Sequence, residues 1–209
     1  DADALERAVH AVVARHEVLR TVITADAHGG AWSKIIPADQ ARISVQHGEA
    51  SGTDALRAAA TVPFDLTADL PIRAHLLGEG SERILLLVLH HIAGDDWSAS
   101  TLLADLAAAY RAELDGTVAF TEAPRLQYAD FALWQSSATA DENAERHVDY
   151  WRAALGGAPE ELPLPYDRRR LPVPTEVGGE AWTTIDADVT TALRDLAAAQ
   201  GVSMFMIAE

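Results

Sequence analysis

The chain has no cysteine in its 209 residues, which removes disulfides and thiolate metal centres together. Lysine is nearly absent, and acids outnumber Lys plus Arg by 32 to 16, giving a formal net charge of −16. A surface this negative repels phosphates and anionic lipids, because binding either depends on Lys and Arg neutralising charge. Nucleic-acid and membrane-surface functions are therefore set aside. Long apolar runs are missing as well. The longest, Ile84 to Leu89, falls far short of the roughly 18–20 residues that a membrane span needs. Asp1-Ala2-Asp3-Ala4 has neither the basic nor the apolar region of a signal peptide, so the expectation is a cytoplasmic protein. No Gly-x-Ser-x-Gly elbow and no Gly-rich phosphate loop occurs, which argues against a serine hydrolase or a nucleotide enzyme of the common types.

What is present is an ordinary globular composition, 49% hydrophobic and 23% charged. Leu5, Val9, Val12, His16 and Leu19 recur at helical spacing, predicting a helix over 3–19 capped by Asp1 or Asp3. Strands are predicted at 20–24 and 31–36 around a turn at Ala27-His28-Gly29-Gly30, then at 43–47. A short helix over 54–60 and an alternating strand over 71–77 follow. After a turn at 78–81, the apolar run 83–92 reads as a strand buried on both faces. Helices are predicted over 98–114 (capped by Asp96 or Ser98), from Leu126 through Trp134, and over 142–155. A proline-rich connector occupies 159–174, with a strand at 181–186 and a helix at 188–200 capped by Asp188. The sequence stops on an apolar segment, Phe205 to Glu209, as in an incomplete domain.

The chemistry is concentrated in His90-His91-Ile92-Ala93-Gly94-Asp95-Asp96-Trp97-Ser98. A strand delivers two adjacent histidines to its end, and a short loop then carries acids into a helix N-terminus. Neighbours on a strand point to opposite faces, so one histidine should face a cavity while the other packs. A neutral imidazole in a partly apolar cleft suits proton acceptance near pH 7. Asp95 can turn back to hold the loop or a nearby arginine. Opposite-facing histidines argue against a metal site at this point.

This stretch resembles the His-His-x-x-x-Asp-Gly signature of the condensation domains of nonribosomal peptide synthetases. Four further blocks resemble that family in its order. They are Arg15-His16-Glu17-Val18-Leu19-Arg20-Thr21, Pro63-Phe64-Asp65-Leu66 with Pro71-Ile72-Arg73-Ala74, Tyr128-Ala129-Asp130-Phe131-Ala132-Leu133-Trp134, and Tyr150-Trp151 through Leu164-Pro165-Tyr166-Asp167-Arg168. The resemblance implies an α/β fold, a mixed sheet with flanking helices, as in one lobe of chloramphenicol acetyltransferase. Residues 1–165 would form the N-terminal lobe, and 166–209 the connector and start of a second. It implies amide formation between a donor thioester and an acceptor amine. Both would be carried on phosphopantetheine arms of donor and acceptor carrier domains, beside an adenylation domain, with no metal or directly bound cofactor. It further implies His91, His90 and Asp95 as catalytic residues, supported by Arg20, Arg73, Asp96 and Trp97. Asp95 is expected to pair with Arg20, or else with Arg73, while Tyr128 and Trp134 are expected in the core.

Asp96 stands where the family has glycine. If that position required a left-handed backbone, aspartate would tolerate it at some cost, and a second acid would favour charged His91. His90-His91 speaks against a cyclization domain, and the order Trp97-Ser98 against an epimerization domain. A non-catalytic recruitment module and a free-standing coenzyme A-dependent acyltransferase are the remaining alternatives.

Overall fold

The computed structural model describes residues 1–25, 28–48, 52–80, 82–139, 142–162, 164–169, 171–173, 179 and 181–208. Ala27 and Ser81 of the predicted turns, and Pro163, Arg170 and Pro174 of the connector, lie outside them. The chain packs as two compact units, 1–156 and 157–209. The proline-rich connector thus opens the second unit.

Helix α1 spans Ala2–Arg15, and its first turn is held by Asp1, whose side chain accepts from the Ala4 N–H. The helix stops short of the predicted Leu19. His16 takes an extended backbone (φ −101°, ψ 105°), and Glu17–Arg20 forms a single 3-10 turn. Leu19 nevertheless reaches the core through that turn. A hairpin follows, β1 (Thr21–Ala25) against β2 (Ala31–Ile35), antiparallel with Thr21 opposite Ile35.

The main sheet is mixed, as expected. Strand β3 (Val45–Gly48) pairs in parallel with β4 (Ile72–Leu77), and β4 pairs antiparallel with β5 (Ile84–Leu89). A parallel pair needs a crossover, and α2 (Thr53–Ala60) lies in that connection. Helix α3 spans Asp96–Asp115 and ends at Gly116, whose φ of 65° is the left-handed cap that glycine adopts without strain. The core gathers Ala8, Val9, Val12 and Val13 of α1, Leu102, Leu106 and Ala109 of α3, and Val45, Ile72, Ala74 and Leu76 of the sheet. Two helices therefore cover one sheet face, and period-2 alternation selects the residues of β4 that meet them.

Strand β5 corrects one expectation. It is shorter than 83–92 and only half-buried, because the order β3-β4-β5 leaves it at the sheet end. Leu85, Leu87 and Leu89 pack on the core, while Ile84 is exposed.

Helices α4 (Tyr128–Thr139) and α5 (Glu142–Ala154) complete the first unit. Tyr128 and Trp134, expected in the core, are 58% and 64% exposed. They form an i, i+3 ladder through Phe131, with centroid spacings of 6.0 and 5.7 Å, so their ring contacts run along the helix.

In the second unit, residues 181–186 enter no strand ladder and are exposed, against the expected strand. Helix α6 (Ala187–Gln200) has Asp186 as its N-cap residue, two residues earlier than the predicted Asp188. A short helix, α7 (Met204–Ala208), follows the left-handed Gly201.

One buried group carries a pH consequence. His75 in β4 is buried, and its Nε2 has no hydrogen-bond partner among the described residues. Burial, then the nearby Arg73 charge, pushes its pKa down. A folded pKa below the unfolded one means the unfolded chain takes up the proton first. Stability is therefore complete above the ordinary histidine range and falls as pH drops through it. We expect His75→Leu to flatten the dependence of Tm on pH between pH 7 and 5, measured by thermal melts. A Tm profile as steep as that of the wild type would show that another group governs it.

Candidate active site

The site is built at the junction of β5 and α3. The strand ends at Leu89, and the chain is pinned at once, since the His90 N–H donates to Pro71 O at 3.0 Å and the Ala93 N–H to His90 O at 2.9 Å. That short turn buries Ala93 on the core. Gly94 passes close to its surroundings. A Cβ there would stand 3.3 Å from Leu89 Cδ2 and 3.4 Å from Ser98 Cβ, so a larger residue would require the Leu89 side chain to give way by a few tenths of an ångström.

The two histidines take different places, but both lie beyond the end of β5, so the turn and not the strand alternation expected from the sequence separates them. His90 is half-buried, edge-on to Phe64 with ring centroids 5.8 Å apart and planes at 88°. Its Nδ1 accepts the Ile92 N–H at 3.1 Å. This ring braces the loop. His91 is exposed, and its imidazole makes no hydrogen bond among the described residues. Its neighbour Ile92 lines an apolar cleft of about 390 Å³ with Val18, Ile23, Trp32, Tyr128 and Leu133. Among the described residues, no three His, Asp or Glu side chains converge as metal ligands would.

Asp95 is the N-cap of α3, correcting both the expected ion pair and the expected cap residue. Its carboxylate accepts the Ser98 N–H at 3.0 Å and the Ser98 hydroxyl at 2.7 Å. Ser98 Oγ accepts the Asp95 N–H at 3.2 Å in return. This reciprocal box satisfies donors that a helix start leaves open. The Ser98 hydrogen bonds, side chain first and backbone second, hold the Asp95 carboxyl below the ordinary carboxylate range. Asp96 is the first residue of α3. It therefore has helical backbone and needs no left-handed conformation, and its charge suits the positive end of the helix dipole. Trp97 is 88% exposed, at the lip of a cavity of about 320 Å³ that also meets His16, Leu89, Ala93 and Ser98.

Neither arginine reaches Asp95, because backbone carbonyls occupy both. Arg20, buried, donates to Ile36 O at 2.7 Å and Ala14 O at 3.3 Å, and meets Glu17 Oε1 at 3.4 Å. It ties the end of α1 to the hairpin. Arg73 donates to Val62 O and Pro63 O, both at 2.8 Å, and to Asp69 at 2.9 Å. Its guanidinium lies 3.9 Å from the Phe64 ring centroid. The chain Arg73–Phe64–His90 thus supports the loop from behind. Phe64 is the brace that the motif pattern alone leaves unassigned.

The family model for the condensation domain matches residues 1–209. The chain belongs to the condensation-domain family. It is 34% identical to a dimodular nonribosomal peptide synthase of Bacillus subtilis over 99% of its own length and 9% of that protein. The chain therefore spans a small part of the curated relative it matches. The X-domain from teicoplanin biosynthesis, solved in complex with OxyB, superposes with a TM-score of 0.81 at 32% identity, over 98% of this chain and 46% of that one. The first condensation domain of the calcium-dependent antibiotic synthetase, solved with a substrate analogue, gives a TM-score of 0.66 at 25% identity, over 77% and 40%. The fold is the chloramphenicol-acetyltransferase-like α/β fold of condensation domains.

For a condensation domain whose motif aspartate is a cap, the choice of substitution is diagnostic. Asparagine caps helices as well as aspartate does, whereas alanine does not. We expect Asp95→Asn to keep the wild-type circular dichroism spectrum and slow hydrogen exchange over 95–102, and Asp95→Ala to lose that protection. Because the carboxyl is ionised below its ordinary range, the cap contributes above that range and is lost as pH falls through the lowered value. The Asn variant should therefore show a weaker acid dependence. Equal loss in Asn and Ala would restore the ion-pair role.

Proposed function

We propose that the chain is the N-terminal lobe of a condensation domain in a nonribosomal peptide synthetase, followed by the connector and the start of the second lobe. The reaction is attack of an acceptor α-amino nitrogen on the carbonyl carbon of a donor thioester. The C–N bond forms, the C–S bond breaks, and the proton lost by nitrogen ends on the departing thiol. Both substrates arrive on phosphopantetheine arms of partner carrier domains, with an adenylation domain loading them. The arm is thus part of the substrate.

The observation that carries this reading is His91. It lies in the turn after β5, on a loop pinned at both sides, exposed, with no protein group holding its ring among the described residues. Such an imidazole is available to receive or orient the attacking amine. His90, by contrast, is engaged with Phe64 and the Ile92 N–H, and we assign it to positioning. Arg20, Arg73, Asp95 and Asp96 act on the shape of the loop and its surroundings, and Trp97 borders the cavity beside it.

A second reading has one specific support. The teicoplanin X-domain, at 32% identity, was solved in complex with another protein. By analogy this chain would be a recruitment module rather than an enzyme.

One experiment separates the two. In the full-length synthetase with loaded donor and acceptor carriers, we expect amide product by mass spectrometry. His91→Ala should fold and lower the turnover by about 100-fold or more, the scale of a lost acid–base group. Carrier binding without product from the wild type would favour recruitment, and Asp96→Gly is then the first reversion to make.

A further inference from the structure

Apart from the motif loop, one polar cluster ties α3 to α1. His16 Nε2 lies 2.7 Å from Asp105 Oδ2, and the same oxygen accepts from Arg15 Nε at 3.0 Å. Arg15 Nη1 continues to Glu122 O at 2.8 Å, with its guanidinium 4.4 Å from the Phe120 centroid. Gln127 closes the cluster, its Nε2 donating to Arg15 O at 2.9 Å and its Oε1 accepting the Glu17 N–H at 3.1 Å. The His16 and Asp105 side chains are 23% and 21% exposed, so solvent screens this pair less than a surface one.

Placement gives the pair a consequence. His16 ends α1, and Asp105 stands in the helix whose N-cap is the motif aspartate. Another polar bridge between the two helices, Arg7 to Glu113, meets α3 nearer its C-terminus. Among the described residues, Asp105 is therefore the anchor nearest the loop. On that side the first two turns of α3 also border the cavity of about 320 Å³, lined by His16, Leu89, Trp97, Ser98 and Thr101. Leu102 packs on the core there, but the cavity beside it leaves the first turn of α3 less closely packed, so a directional hydrogen bond adds to packing in fixing the helix.

We propose that His16 is a positioning residue for the amide-forming reaction: its Nε2 bond to Asp105 sets the start of α3, and with it the placement of His91. This rests on the functional reading above. Facing a carboxylate oxygen, which only accepts, the His16 Nε2 carries the proton and donates. Arg15 Nε also donates to this oxygen, so in a His16 variant Asp105 keeps one partner on α1 and loses the second, which comes from the residue that ends the helix.

Two variants isolate the bond. His16→Phe keeps a ring of similar size and loses the donor, whereas His16→Gln keeps an amide N–H near the Nε2 position. In the full-length synthetase with loaded carriers, we expect His16→Phe to lower kcat about tenfold or more with KM for the acceptor carrier unchanged, as misplacement of a reacting group does. Hydrogen exchange over 90–102 should be faster in His16→Phe, and His16→Gln should recover most of both effects. Wild-type kcat and exchange in His16→Phe would overturn the proposal, as would a Gln variant no better than Phe. If Phe does not fold, Ala replaces it in the same comparison. If the wild type makes no amide, the reaction reading fails separately, and unchanged exchange in the variant then overturns the positioning of α3.

Discussion

The reciprocal pair between Asp95 and Ser98 is the constraint on which the site depends. It closes a helix start whose N–H groups would otherwise be open, and it does so two residues after the buried Ala93. With the Ala93 N–H bonded to His90 O, the chain from strand to helix has little freedom left. His91 sits within that short span and inherits its position from both ends. An imidazole that no protein group braces among the described residues has to be placed by its backbone, and this loop does that.

The supports behind the loop follow one pattern. Charged side chains hold backbone carbonyls of irregular segments in place of distant carboxylates. Arg20 holds Ala14 O and Ile36 O, and Arg73 holds Val62 O and Pro63 O. Ala14 O is one of the last carbonyls of α1, which the helix leaves without an internal partner, while Ile36, Val62 and Pro63 lie outside helix and ladder. The two arginine-bearing sequence blocks are thus explained by satisfaction of the backbone. Phe64 links Arg73 to His90, joining one of these clamps to the motif.

Much of this was legible from the sequence, for physical reasons. Alternation in Ile72-Arg73-Ala74-His75-Leu76 predicts β4, and helical spacing predicts α1 and α3, because each period reports which face meets the core. The different exposure of His90 and His91 is expected from strand alternation, but both lie in the turn after β5, and it is the turn that separates them. What escaped depends on position in three dimensions. The apolar run of β5 looks the same whether central or at a sheet edge, so its half-exposure was not readable. The aspartate of the motif could cap or pair, and only the distance to Ser98 decides. His16 and Asp105 stand 89 positions apart, and no spacing rule connects them.

The most direct test is a pair of double-mutant cycles in the full-length synthetase, reading amide-forming rate. One cycle crosses Asp95→Ala with Ser98→Ala, the other Asp95→Ala with Arg20→Met. The account predicts strong non-additivity between Asp95 and Ser98, because both variants break the same box, and additive effects for Asp95 with Arg20. Strong coupling of Asp95 to Arg20, with additivity toward Ser98, would contradict it and return the motif aspartate to an ion pair.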